Sequence, residues 1–183
     1  MNETEKKLKR LEDLLKENDA PILRFFSPGL SKEFIIEYFN KHSISLRPEL
    51  MALYEWHNGI DFDAAKVLQP MIEIMPMGIF YTLDFMFSTR SDLTRWNYIE
   101  NSNEYLPLFG SGEDDLYLLK NATGEIFYLA PASLIRGELW FKSINAMLDC
   151  LIECYQEGIL KIAPDEGLVV MFDEYEKKRV KYK

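Results

Sequence analysis

The stretch YLPLFGSGEDDLYLLKNATGEIFYL, residues 105–129, decides the fold class. Three short apolar runs, at 105–109, 115–119 and 125–129, alternate with turn residues. Each is of strand length and none is long enough to show a helical stripe. Asn121-Ala122-Thr123-Gly124 joins the last two runs as a hairpin. Gly110-Ser111-Gly112 followed by Glu113, Asp114 and Asp115 joins the first two. This glycine-rich step has no Lys-Ser/Thr pair to hold a nucleotide, and its consecutive carboxylates would repel phosphate. Successive strands linked by tight turns predict an antiparallel sheet.

Outward from this centre the periodicity becomes helical. On the C-terminal side, Ser143 is placed to cap a helix whose buried face carries Ile144, Met147, Leu148, Leu151, Ile152 and Tyr155, with Gly158 at its end. Beyond Pro164 a further helical segment is expected over 168–179. The last eleven residues hold five basic and three acidic side chains, a locally positive tail.

On the N-terminal side, Leu8, Leu11 and Leu15 mark an amphipathic helix over 3–18, ended by Asn18-Asp19-Ala20-Pro21. Pro28 and Gly29 form a turn. Ser31 caps a second helix with Phe34, Ile35, Tyr38, Phe39 and His42 on one face. Pro48 opens a third, carrying Leu50, Leu53, Tyr54 and Trp56, and Asn58-Gly59 stops it. Residues 61–69 read as loop giving way to strand. Residues 71–80 read as a buried strand-like segment broken by Pro76 and Gly78. Thr82 or Asp84 caps a fourth helix that runs to about Trp96. The expectation is an α+β fold, a central and mostly antiparallel sheet with helices packed against it. It forms a single domain over 1–183, with 1–30 a helical extension and 31–183 the core.

Composition narrows the function classes. The 183 residues suit one domain with a full core. Thirty acidic against twenty-one basic side chains leave a net charge of -9. That field disfavours nucleic acid and anionic membrane surfaces, and it draws a basic protein partner. Aromatic residues make up 14% of the chain, more than a small core requires, so part of them is available to a contact surface. Cys150 and Cys154 lie four apart on one helix face, without the companion ligands of a metal site or the spacing of a disulfide framework. No apolar run reaches the ~18 residues of a membrane-spanning helix, and residues 1–17 carry charge throughout. A soluble cytoplasmic protein is expected.

The most site-like feature is Trp56-His57-Asn58-Gly59. As a structural motif, Trp56 would pack under the sheet, Asn58 would bond to local backbone, and Gly59 would take a positive φ. His57 has no neighbouring acid or nucleophile in sequence, so no triad is argued. Asp61 and Asp63 place two carboxylates one residue apart, but no companion ligand completes a metal site. No catalytic, cofactor-binding or metal-binding residue is expected. The candidate contacts for a basic partner are Asp61, Asp63, Glu113, Asp114 and Asp115.

Several of these runs together resemble the SMI1/KNR4 (SUKH) family. Pro48-Glu49-Leu50 and Leu53-Tyr54-Glu55-Trp56-His57-Asn58-Gly59 are similar to that family's helix and its aromatic-Asn-Gly turn. Ile74-Met75-Pro76 with Tyr81-Thr82-Leu83-Asp84 resembles its step into the next helix. Leu106-Pro107-Leu108-Phe109-Gly110 with Glu113-Asp114-Asp115 resembles its central strand and turn. Gly124-Glu125-Ile126-Phe127-Tyr128 is similar to its next strand, and the helix within 141–155 to its long late helix. The resemblance spans roughly residues 31–180. It implies a non-catalytic protein-binding domain, in bacteria an immunity protein that neutralises a toxin, with a regulatory or scaffold adaptor as the alternative.

Overall fold

A computed structural model describes residues 1–60, 69–96, 99–111, 115–163 and 165–183. The chain is α+β: a five-stranded antiparallel sheet with six α-helices among the described residues packed around it. The sheet order is β3 (Ile79–Phe80), β4 (Tyr105–Gly110), β5 (Leu116–Lys120), β6 (Ile126–Ala130) and β7 (Ile135–Phe141). The three strands expected from 105–129 are its centre. Every residue of β4 is buried, because both faces of this strand are covered and an unbroken apolar run suits that position. The β5–β6 hairpin pairs Leu118 with Phe127, and its turn closes with Gly124 at φ 86°.

Strand β7 is an addition to the expected set. Its residues alternate between partly covered and exposed before Trp140 and Phe141 turn inward. Arg136 and Glu138 dilute the apolar run, which hides a half-solvated strand from a reading that looks for continuous hydrophobicity.

Helix α1 (Glu3–Glu17) begins with a capping box, in which Asn2 and Glu5 satisfy each other's backbone N–H groups. Leu8, Leu11, Leu14 and Leu15 are all buried, and they join the main hydrophobic core. Each such leucine contributes about 1.5–3 kcal/mol by leaving water. The helix rests on α3 (Pro48–Trp56) and α5 (Ile144–Gln156). Thr4 donates to Asn145 at 3.1 Å, and Lys7 pairs with Asp149 at 2.8 Å. Ser143 caps α5 by accepting from the Ala146 N–H at 3.1 Å.

Helix α2 (Lys32–Lys41) is capped by Ser31, as its sequence predicts, but its aromatic face is divided. Ile35 and Phe39 are buried, Tyr38 is half-buried, and Phe34 and His42 are exposed. A small two-stranded ribbon pairs β1 (Phe26–Pro28) with β2 (His57–Ile60).

Two segments depart from expectation. The buried run at 71–80 is mostly not strand: a 3-10 turn at Gln69–Ile72 and a Met75–Gly78 bridge precede the two-residue β3. Pro76 and Gly78 shape a tight reversal that leaves Met77 exposed, and the other side chains of the run are covered mainly by packing rather than by sheet pairing. The helix expected over 168–179 is shorter. Strands β8 (Leu160–Ala163) and β9 (Gly167–Val170) form a hairpin, and α6 is Phe172–Arg179. Gly167 at φ 81° turns the chain, and Val169-Val170 favours a strand immediately after it. The expected passage from loop to strand at 61–69 falls largely outside the described residues. No described helix is long and apolar enough to cross a membrane.

Candidate functional site

The turn after α3 joins three elements. His57 leaves the helix in an extended conformation, and Gly59 comes next but one at φ 68°. A Cβ on Gly59 would stand 2.3 Å from the carbonyl carbon of Tyr81 and 2.4 Å from the nitrogen of Thr82. Backbone meets backbone here, and only hydrogen fits. The neighbouring Ile60 and Tyr81 form a parallel bridge.

Asn58 corrects the sequence-based expectation. Its Oδ1 accepts from the Leu83 N–H at 3.0 Å, at the start of α4 (Leu83–Trp96), instead of bonding to local backbone. Thr82 Oγ1 accepts from the Phe85 N–H at 3.2 Å. The first turn of α4 therefore has two side-chain acceptors, one supplied by a different part of the chain.

Trp56 also sits differently. Its indole is partly exposed and reaches the main sheet at Phe80 in the short strand β3, 6.4 Å between ring centres. Nε1 donates to Glu12 Oε2 of α1 at 2.7 Å, and the ring tilts against Phe26 at 5.1 Å. It clasps α1 to the ribbon rather than packing under the sheet. Both Asn58 and Trp56 act across long sequence separations, which a local reading cannot see.

The fold brings an acid to His57 that sequence did not. Glu12 Oε2 lies 3.9 Å from His57 Nε2, while Nδ1 stands 3.3 Å from the Ser27 carbonyl oxygen. The imidazole lies flat on Phe26, with centroids 4.3 Å apart. Burial pulls its pKa down and outweighs the attraction of Glu12, and a neutral imidazole with its proton on Nδ1 donates to Ser27 while leaving Nε2 without a donor. Burial opposes ionisation of Glu12, yet hydrogen bonds from Lys16 and Trp56 hold its carboxyl below the ordinary value. This geometry clamps α1 to the ribbon, and it leaves His57 Nε2 buried without a hydrogen-bond partner.

Beside the turn lies a surface cavity of about 470 Å³, with Asn58, Ile60, Thr82, Asp84 and Phe85 in its walls. Phe85 on its wall is 40% exposed, and Phe34 on α2 is 48% exposed, which is far more than aromatic rings usually show. Tyr38 connects the two helices: its hydroxyl donates to Asp84, and its ring stacks toward Phe34, His42 and Phe87. Burial, and then this bond to Asp84, push the Tyr38 phenol up to about 12. Glu33 and Glu37 on α2 are exposed as well. Helices α2 and α4 thus each present a solvent-facing aromatic ring and are joined through the Tyr38–Asp84 bond, beside a polar hollow walled by β2 and α4.

Of the acidic candidates, Asp115 is half-buried between β4 and β5 and hydrogen-bonds to Tyr128, whose hydroxyl is raised first by burial. Its carboxylate is already engaged. Asp61, Asp63, Glu113 and Asp114 lie outside the described residues, although Asp61 directly follows the cavity residue Ile60. Cys150 and Cys154 are buried free thiols hydrogen-bonded to each other, and this bond together with burial holds the Cys150 thiol high. Among the described residues no group of three or more His, Cys, Asp or Glu side chains is placed to hold a metal ion. In comparisons with known proteins, no family model and no curated protein matches this chain.

Proposed function

We propose that this chain is a non-catalytic protein-binding domain of the SMI1/KNR4 kind, acting in the cytoplasm as an immunity protein that occludes a basic bacterial toxin. The observation that carries this reading is the pair of exposed rings Phe34 and Phe85, on two helices joined by the Tyr38–Asp84 bond, with Glu33 and Glu37 exposed on the same helix as Phe34. Exposed aromatic rings supply large, rigid contact area, and rings of this kind dominate the binding energy of protein interfaces. The carboxylates around them, on a chain of net charge -9, would speed encounter with a cationic groove and fix its register. Neutralisation then needs no chemistry, only coverage of the toxin's own site.

The test is affinity capture from the host strain with wild-type chain and with Phe34→Ala/Phe85→Ala, followed by co-expression with whatever is captured. One stoichiometric, basic, growth-inhibiting partner, held by the wild type and released by the double variant, is the expected outcome. Many weak partners, or a partner whose toxicity co-expression leaves intact, would overturn the immunity reading and favour an adaptor.

A further inference from the structure

At the β5–β6 turn lies a second cleft, of about 470 Å³, with two arginines in its walls. Arg47 precedes α3 and Arg90 belongs to α4, and the polar lining also includes Ser43, Ser45, Asn103, Glu104 and Asn121. Each guanidinium is held in place by a backbone carbonyl. Arg47 Nη1 donates to Asn121 O at 3.1 Å, and Arg90 Nη2 donates to Asn103 O at 2.7 Å. Asn121 is itself fixed by donating from Nδ2 to Ser45 O at 2.9 Å. Gly124, at φ 86°, leaves the room that Arg47 occupies, since a Cβ there would come within 2.6 Å of Nη2.

The charges in the cleft do not balance. Arg47 has one carboxylate: its Nε faces Glu49 Oε2 at 3.5 Å, an ion pair without hydrogen-bond geometry. Arg90 has no ion-pair partner among the described residues, and its buried Nε also lacks an acceptor. Burial alone draws its pKa down, with no anion offsetting it. Glu104, the carboxylate lining the cleft, lies 3.4 Å from Lys120 and is committed there. Asn121 Oδ1 is buried without a donor. The Nε atoms are closed off from solvent, so a ligand would be met by the Nη groups. A half-buried guanidinium without a facing anion is expensive to keep, and its N–H groups match an oxyanion.

We propose that this cleft binds a small doubly charged oxyanion, the class that includes phosphate monoesters and dicarboxylates. Arg90 supplies the uncompensated charge, Arg47, shared with Glu49, adds guanidinium donors, and the Ser43 and Ser45 hydroxyls add neutral ones. A net acidic surface repels long polyanions, whereas a small dianion that enters the cleft meets a local positive field. The site stands independently of the protein-binding reading, because it uses neither Phe34, Phe85 nor Asp84.

The probes are sodium phosphate and sodium succinate, titrated into the full chain by calorimetry at constant ionic strength, with acetate and chloride as monovalent controls. The expected result is saturable binding of one or both dianions, with phosphate preferred if the ligand is a phosphate monoester and succinate preferred if it is a dicarboxylate. Arg90→Gln should weaken that binding at least about tenfold, and Arg90→Lys, which keeps the charge and loses the fork, should weaken it less. The Nε–H resonances of Arg47 and Arg90 in the wild-type chain give a readout that does not depend on any variant folding. They should shift saturably with the bound dianion. No saturable binding, equal response to chloride, or unmoved arginine resonances would overturn the proposal.

Discussion

Helices α1 and α6 both pack on α5, yet they are held there by different physics. Helix α1 presents a leucine stripe, with Leu11 and Leu15 wholly excluded from water. Helix α6 buries one large ring, Tyr175, and leaves Phe172 64% exposed. Its grip comes from charge. Lys178 spans Glu153 at 3.0 Å and Glu157 at 2.6 Å on α5. Arg179, paired within α6 to Glu176 at 2.6 Å, lies over the Trp140 ring of β7 at 4.2 Å. The basic tail inferred from the sequence is therefore largely paired against the body of the protein. A non-directional hydrophobic seam needs only pattern, whereas an ionic clasp needs partners placed by the rest of the fold.

This contrast can be broken at either helix. Leu11→Ala should cost the most, about 2–5 kcal/mol, because the rigid seam between α1, α3 and α5 cannot collapse fully into the space left. Urea denaturation of the variant checks it, and a loss under about 1 kcal/mol would mean that α1 is an appendage. Arg179→Met keeps much of the aliphatic stem and removes the charge over Trp140. A smaller loss is expected there, about 1–2 kcal/mol, read by thermal unfolding. The smallest effect comes from pH. Hydrogen bonds from Tyr182 and Lys178 hold the Glu153 carboxyl below its ordinary value, and Lys183 does the same for Glu138. A lowered folded pKa gives stability that is full above the unfolded value of about 4.3 and is lost as pH falls through the folded value. Hydrogen exchange should therefore show α6 loosening below about pH 4 more than α1, whose Glu12 clasp weakens in the same range but whose leucine seam does not titrate. Simultaneous opening of both helices would erase the distinction.

The same division explains what could be read in the sequence. The hairpins within 105–129, the α1 stripe and the Ser31 and Ser143 caps were legible because each is written in neighbouring residues. Strand β7 and the β8–β9 hairpin were not, since their short mixed runs take their conformation from partners on the sheet and on each other. The site was less legible still. Asn58 reaches the first turn of α4, Trp56 reaches Glu12, and Arg47 and Arg90 come to line one cleft only after the chain has folded. The tightness of Gly59 could be anticipated from the Asn-Gly pair; what it presses against could not.

That pressed contact bears on how such a chain can drift over evolutionary time. Surface aromatics that match a partner are free to change as the partner changes, and core leucines can trade volume with their neighbours. The contact of Gly59 with the 81–82 backbone has no such compensation, because main chain cannot be substituted away from main chain. Asn58 is bound to the same fate through the Leu83 N–H. Distant relatives of this protein should therefore be recognisable less by overall identity than by one linked trait: an Asn-Gly pair ending a helix, matched to a capped helix start that its amide side chain can reach.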